Sequence, residues 1–154
     1  MRFSFLSDIH GNLPALEIAL KKSGKVDGYI ILGDVVNYGP WSNECVQLID
    51  TLPNCTKILG NHEEFFLQGR CDCENYLANE FFNHCYPKFE EFALIQNYMK
   101  KSQFEDFSHQ IINPNCCLKY ISWPNHKCQS WFGIYFAGQI IKANHGLQNF
   151  LAKI

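Results

Sequence analysis

The stretch Phe3-Ser-Phe-Leu-Ser-Asp-Ile-His-Gly-Asn12 joins an apolar run to two side chains that commonly bind metal ions. The apolar run Phe3–Ser7 is predicted to be a buried strand, and Asp8 and His10 follow at the point where it ends. Residues two apart in a strand point to the same face, so this carboxylate and this imidazole can converge on one ion. The glycine that follows, Gly11, permits a tight turn beside them.

The same order of strand, glycine turn and polar side chains occurs twice more before residue 64. Gly33-Asp34 follows one apolar run, and Gly60-Asn61-His62-Glu63 follows another. Crossovers between parallel strands are right-handed, so the ends of successive strands meet at one edge of the sheet. The sequence therefore predicts an α/β fold whose polar clusters gather at that edge. The predicted elements are strands at Phe3–Ser7, Val26–Leu32 and Thr56–Leu59, and helices at Leu13–Lys22 and Asn43–Leu52 capped by Asn12 and Ser42.

The polar clusters combine a carboxylate, an imidazole and an amide oxygen, which together suit divalent ions of intermediate hardness. Each residue alone has a plainer interpretation, as a turn residue, a helix-start carboxylate or a surface histidine. Their joint occurrence after three successive strands favours a metal site instead. A carboxylate between two ligand sets can bridge a pair of ions about 3.5–4 Å apart, which can clamp a phosphoryl group for in-line attack.

Three motifs now carry a family resemblance. Ser7-Asp-Ile-His-Gly-Asn12, Leu32-Gly-Asp34 and Gly60-Asn-His-Glu63 resemble the first three motifs of the calcineurin-like metallophosphoesterases. Val35-Val-Asn-Tyr-Gly-Pro40 is similar to the bacterial and archaeal phosphodiesterase branch of that superfamily. The resemblance implies a metallophosphoesterase-type β-sandwich flanked by helices. It also implies metal-dependent hydrolysis of phosphate esters through a dinuclear centre and a bridging hydroxide, with phosphodiesters preferred over phosphomonoesters and phosphoproteins.

The resemblance implies a role for each matching residue. It implies five metal ligands, with Asp8 and His10 on the first ion, Asp34 bridging both ions, and Asn61 and His145 on the second. His62 is implied to be a catalytic residue that stabilises the phosphoryl oxyanion or protonates the leaving oxygen. The two divalent ions of such centres are manganese, iron, nickel, cobalt or zinc, and the substrate is expected to be a small phosphoester.

One family motif is missing, because no Gly-His-x-His occurs in the 154 residues. His84, His109 and His126 lack the preceding glycine and are expected to be surface or packed histidines. We therefore expect a C-terminus that is truncated or divergent, weak metal binding, and an exposed sheet edge that favours self-association. The alternative function is a catalytically impaired metallophosphoesterase-like fragment that acts as an interaction module or is completed by a partner chain.

Composition excludes several other classes of function. The chain has 154 residues, is 47% hydrophobic and has a net charge of -2, which predicts one globular domain over residues 1–154. That charge gives no footprint for nucleic acid. No apolar run reaches the roughly 18 residues of a membrane span, and no secretory signal is visible, so a cytoplasmic location is expected.

The eight cysteines and the C-terminal half are less informative. Without a secretory signal the thiols are expected to be reduced, and a thiol-based zinc or redox module is a third, weaker hypothesis because the cysteine spacing does not fit zinc. Two helices at Asn75–Tyr86 and Lys88–Lys101 are predicted, broken at Pro87, and their aromatic residues are expected to pack in the core or a cap and not to form a ligand-binding box. Further strands are predicted at Trp131–Phe136 and Gln139–Ala143.

Overall fold

The computed structural model describes residues 2–100 of the chain. The predicted strands at 131–136 and 139–143, and the predicted ligand His145, lie outside these residues. The described elements alternate between strands and helices in the first 68 residues and are helical afterwards. They are β1 (Phe3–Leu6), α1 (Leu13–Ser23), β2 (Gly28–Ile31), α2 (Ser42–Asp50), β3 (Cys55–Lys57), α3 (Asn61–Gln68), α4 (Tyr76–Cys85), a 3-10 turn (Tyr86–Lys88) and α5 (Phe92–Ile95).

The three strands form one parallel sheet in the order β1-β2-β3. Phe3 pairs with Gly28 in the first ladder, and Tyr29 pairs with Cys55 in the second. Both crossovers step in the same direction, so their right-handedness puts α1 and α2 on one face, where the two helices contact each other. This mixed α/β architecture confirms the predicted fold class.

The core lies between the sheet and the helices, and it includes buried aromatic residues that follow α3. Ile31 of β2 and Ile49 of α2 are fully buried, as expected for a sheet covered by helices. The ring of Phe66 is also fully buried and meets Phe82 and Phe89 edge-to-face, with centroids 5.4 and 5.1 Å away. Burying an aromatic side chain of this size contributes roughly 1.5–3 kcal/mol, so these rings attach α4 and the following turn to the sheet domain.

Several predicted boundaries are corrected by the structure. Ser42 does not cap α2; it is the first helical residue, and its hydroxyl accepts a hydrogen bond from the Asn37 backbone N–H at 3.1 Å. The segment after β3 is a helix, α3, which the sequence analysis did not predict. The helix predicted from Lys88 shortens to the single turn of α5. In contrast, Asn12 caps α1 as predicted, with its side chain accepting from the Ala15 N–H at 3.2 Å.

The cysteines differ among themselves. Cys45, Cys55, Cys71 and Cys85 are free thiols, which agrees with the predicted reduced state. The predicted reduced state is wrong for Cys73, which is disulfide-bonded. Burial raises the pKa of Cys45 to about 12 and that of Cys55 to about 11, so both stay protonated and unreactive at neutral pH. None of the helices in the described part of the chain has the length and apolar character needed to cross a membrane.

Candidate metal centre

The loops that follow β1 and β2 are joined by backbone hydrogen bonds at the carboxyl edge of the sheet. The Asp8 N–H donates to the Gly33 carbonyl at 3.3 Å, and the His10 N–H donates to the Asp34 carbonyl at 2.9 Å. The Gly11 N–H continues the ladder to the Val35 carbonyl at 2.7 Å. The first two polar clusters predicted from sequence therefore lie side by side.

The third loop is attached to the second by a buried carboxylate, that of Glu63. Its Oε2 accepts from the N–H groups of Asp34 and Gly60 at 2.8 and 2.9 Å. Its Oε1 accepts from the N–H groups of Val35 and Val36 at 2.8 and 3.0 Å. Four backbone donors on two loops thus share one side chain. Glu63 is a functional residue that was missed from the sequence, although its place in the first turn of a helix after Gly60 is the capping-box position of a glutamate.

Asp8 and His10 approach each other, but not because they share one face of a strand, as was predicted. β1 ends at Leu6, and both residues have left-handed backbones, with φ of 55° and 50°. The His10 Nε2 lies 3.9 Å from the Asp8 Oδ1. The other ring nitrogen, Nδ1, donates to the Val36 carbonyl at 3.2 Å, because a carbonyl can only accept. A histidine held in this way presents the lone pair of Nε2, which is the usual arrangement of a metal ligand.

Asp34 lies between the first and third loops. Its Oδ1 accepts from the His62 backbone N–H at 3.1 Å. Its carboxylate lies directly over Gly60, where a Cβ would meet the Asp34 Oδ1 at 2.3 Å. Burial raises the pKa of Asp34 to about 6, and the negative charges of Asp8 and Glu64 add to that effect. A cation at this place would relieve the repulsion, which fits the predicted bridging role. Asn61, between Gly60 and His62, is exposed at the start of α3.

His62 is buried, and its ring meets the ring of His10 edge-to-face with centroids 4.8 Å apart. The amide nitrogen of Asn37 lies 3.1 Å from the His62 Nδ1. Since that amide nitrogen can only donate, Nδ1 accepts and the ring proton is on Nε2. Burial, together with the nearby His10, lowers the pKa of His62 to about 3. His62 is therefore a neutral imidazole at physiological pH, with one N–H to donate.

Asn37 is the second functional residue that sequence reasoning missed. It is fully buried with a left-handed backbone, φ 73°, and within the described residues its Oδ1 has no hydrogen-bond partner. A buried asparagine whose amide donates a hydrogen bond to a histidine holds that imidazole in position. The only signal in the sequence is a lone polar residue inside Val35-Val-Asn-Tyr-Gly-Pro40, which is too weak to assign a partner 25 residues away.

The ligand atoms at this edge are of the types that bind divalent ions, but the side chains do not surround a single ion position. The loops bring four side chains with metal-binding atoms to one edge of the sheet: the carboxylates of Asp8 and Asp34, the imidazole of His10 and the amide of Asn61. Within residues 2–100, however, the His, Cys, Asp and Glu side chains form no group of three or more placed to hold a metal ion. The assignment of these residues as ligands stays a prediction, and His145 lies outside the described residues.

Comparisons with known proteins identify relatives of this chain in sequence and in fold. A sequence model of the family described as calcineurin-like phosphoesterase matches residues 1–152. The chain is 47% identical over 60 residues to the uncharacterized protein MJ0912 of Methanocaldococcus jannaschii, a stretch that covers 38% of this chain and 24% of that protein.

Two solved structures are similar in fold. A metallophosphoesterase from Sphaerobacter thermophilus aligns with a TM-score of 0.51 and 35% identity, over 62% of this chain and 39% of that one. A candidate diadenosine tetraphosphatase aligns with a TM-score of 0.50 and 25% identity, over 63% of this chain and 42% of that one. In each of these three comparisons the match spans less than half the length of the other protein.

Proposed function

Because the chain belongs to the calcineurin-like phosphoesterase family, we propose that it hydrolyses phosphate esters at the edge where its three strand-end loops meet. Members of this family generally use two divalent metal ions. We propose a dinuclear centre here as well, with phosphodiesters as the preferred substrates. The observation that supports the proposal most directly is the placement of Asp8, His10, Asp34 and His62 on loops that hydrogen-bond to one another.

In this proposal the side chains divide into ligands and a hydrogen-bond donor. Asp8 and His10 would hold one ion, Asp34 would bridge, and Asn61 would hold the second. Such ions polarise a phosphoryl oxygen and lower the pKa of a bound water, which makes it a nucleophile at neutral pH. The half-buried Asp34 carboxylate suits the bridging role because desolvation and the charges of Asp8 and Glu64 raise its pKa to about 6, and a cation would offset both effects.

His62 would act on the phosphoryl group by donating its Nε2–H. A preorganised donor is most effective where negative charge develops in the transition state. The lowered pKa of His62, about 3, argues against a protonated imidazole that gives its proton to the leaving group. Of the two roles that the resemblance implies, we therefore propose stabilisation of the oxyanion, which uses the neutral N–H. Asn37 would maintain the tautomer that this role requires.

A small substrate is favoured over a phosphoprotein. Val35–Pro40 resembles the phosphodiesterase branch of the superfamily, and one of the similar structures is named for action on diadenosine tetraphosphate. Both observations concern small molecules that carry organic groups on phosphate.

The enzymatic proposal is tested by hydrolysis of bis-p-nitrophenyl phosphate with and without manganese. Manganese should stimulate the wild type, and Asp34→Asn should abolish the stimulation. Asparagine keeps the oxygen that accepts the His62 N–H, so the substitution removes the charge with little change in shape. Asp72→Asn is the matched control, because Asp72 is exposed and forms an ion pair with Arg70 outside the proposed site. Equal rates for wild type and Asp34→Asn would refute the enzymatic proposal and favour an interaction module.

Metal binding is tested separately by calorimetric titration with manganese. We propose that binding is weak, since the two histidines of a Gly-His-x-His motif are not present in the 154 residues. Loss of residues around a metal commonly lowers affinity about 10–100-fold. Tight binding of two ions by the isolated chain would contradict this part of the proposal.

A further inference from the structure

Tyr38 stands at the junction of the two site histidines and helix α4. Its ring meets the rings of His10 and His62 edge-to-face, with centroids 4.9 and 5.0 Å away. On its other side it meets the ring of Phe81 at 5.2 Å. Tyr38 is half-buried, so part of the residue is accessible to solvent. The proposed reaction assigns it no role.

The backbone that carries Tyr38 is held in an unusual conformation. Asn37 and Tyr38 are both left-handed, with φ of 73° and 60°, and neither is a glycine. The Gly39 N–H that follows donates to the carbonyl of His10 at 2.9 Å. Non-glycine residues in this region cost on the order of 1–3 kcal/mol each and persist where the surroundings enforce them, often at functional sites. The fold thus maintains a strained turn that directs this ring to the histidines.

One face of α4 continues the aromatic surface away from the site. Leu77, Phe81 and Cys85 are four residues apart, so they lie along the same face of the helix. Cys85 fixes the register, because its Sγ lies 3.9 Å from the Gly39 carbonyl. Phe81 then reaches Tyr38, and Leu77 extends the strip outward with 63% of its surface exposed. The strip begins at the histidines and ends in solvent.

We propose that Tyr38, Phe81 and Leu77 form a binding wall for the nucleobase of a nucleoside phosphodiester whose phosphate is bound at the metal centre. The proposal rests on the proposed function and specifies its substrate class. Aromatic side chains bind bases through their faces and edges with little dependence on base identity, and each such contact commonly changes affinity by roughly tenfold. The strip adjoins the histidines directly, so a group on the phosphate can reach it.

The alternative is a purely structural role, in which Tyr38 and Phe81 pack α4 against the turn and bind no ligand. The two interpretations differ in what a substitution changes. A packing role predicts equal effects on all substrates through loss of stability. A binding wall predicts an effect on substrates that carry a base and a smaller effect on those that do not. A ratio of two substrates separates them.

The test uses two diesters with the same leaving group, thymidine 5'-(p-nitrophenyl phosphate) and methyl p-nitrophenyl phosphate, assayed with manganese. Wild type should have the higher kcat/KM on the thymidine ester. Phe81→Leu and Tyr38→Leu should lower the ratio of the two kcat/KM values about tenfold, whereas Tyr38→Phe should keep it because the ring remains. Tyr76→Leu is the matched control: Tyr76 is 71% exposed on the same helix but one position away from the strip. An unchanged ratio in a folded Phe81→Leu variant would overturn the proposal.

A second readout separates this inference from the proposed function. If wild type hydrolyses neither ester, the proposed function fails, and the wall is tested by calorimetric titration with thymidine 5'-monophosphate and with methyl phosphate. Tighter binding of the thymidine compound by wild type, lost in Phe81→Leu and kept in Tyr76→Leu, supports the wall. Equal affinity of wild type for the two phosphates overturns it.

Discussion

Replacing Glu63 with glutamine tests whether one carboxylate holds the site loops together. Glutamine has nearly the same shape, but one of its two terminal groups donates instead of accepting. Glu63 is fully buried and accepts four backbone N–H bonds of 2.8–3.0 Å, two on each oxygen. In Glu63→Gln, one oxygen still accepts two of these bonds. The other two backbone N–H groups face an NH₂ group that cannot accept.

The magnitude follows from those two donors. Each buried donor left without an acceptor costs roughly 1–3 kcal/mol, which gives about 2–6 kcal/mol in total. Part of this loss is offset, because burial and the nearby Asp34 charge raise the pKa of Glu63 to about 7 and glutamine carries no charge to bury. We therefore expect a loss of about 3 kcal/mol in the free energy of unfolding.

The assay is urea denaturation of metal-free protein, analysed by linear extrapolation. Glu64→Gln is the matched control, since Glu64 is the next residue of α3 and is exposed. A surface change of this kind should alter the free energy of unfolding by no more than about 0.5 kcal/mol. Indistinguishable unfolding free energies for the two variants would refute the argument that Glu63 joins the loops.

Three further predictions concern the same loops. Folded His62 has a pKa of about 3 and unfolded histidine one near 6.5, so between pH 7 and pH 5 the unfolded chain binds a proton that the folded chain does not. The free energy of unfolding of wild type should therefore fall by about 2 kcal/mol through this residue over that range. His62→Gln should lose about 2 kcal/mol less in urea titrations at the two pH values, and identical pH dependence of the two proteins would contradict this prediction. Gly60→Ala should lower the free energy of unfolding more than Gly24→Ala in the same assay, because a Cβ on Gly60 would lie 2.3 Å from the Asp34 Oδ1. A Cβ on Gly24 would meet nothing within 4 Å, so Gly24→Ala should cost only about 1–2 kcal/mol for the φ of 62° at this position. Asn37→Asp should raise the pKa of His62 by placing a carboxylate beside the imidazole, and an NMR titration that finds no rise would count against the contact.

The sheet and the location of the polar clusters were predictable because both depend on local patterns. The run Val26–Leu32 is nearly continuous in apolar residues, as expected for a strand buried on two faces, and each of the three predicted strands stops at its polar cluster. The right-handed crossover rule then places those clusters at one edge without any knowledge of packing. The structure places Asp8, Asp34 and His62 on loops that hydrogen-bond to one another at that edge. What it adds is contact between residues far apart in sequence.

The contacts that organise the site were not predictable from periodicity. Glu63 bonds to N–H groups 27 to 29 residues earlier, and Asn37 meets a histidine 25 residues later. The left-handed backbones of Asp8 and His10 were missed because an Asp-x-His spacing fits a strand equally well, and aspartate and histidine tolerate that region better than most residues. Ser42 was misassigned because its hydroxyl accepts from the Asn37 N–H in the preceding loop and not from an N–H of its own helix.

Backbone strain in the described residues is concentrated where the chemistry is proposed. Of the non-glycine residues with positive φ, all but Asn54 lie in the loops after β1 and β2; they are Asp8, His10, Asp34, Asn37 and Tyr38. Each such residue costs energy in the folded state, so a chain without compensating bonds would relax to ordinary conformations. The hydrogen bonds to Glu63 and between the two loops supply that compensation before any ligand binds. A metal ion or phosphoester bound as proposed would therefore meet loops that are already ordered, and its binding energy would not be needed to arrange them. This preorganisation is the physical reason to expect activity to depend on Glu63 and Asn37, neither of which is predicted to touch a metal.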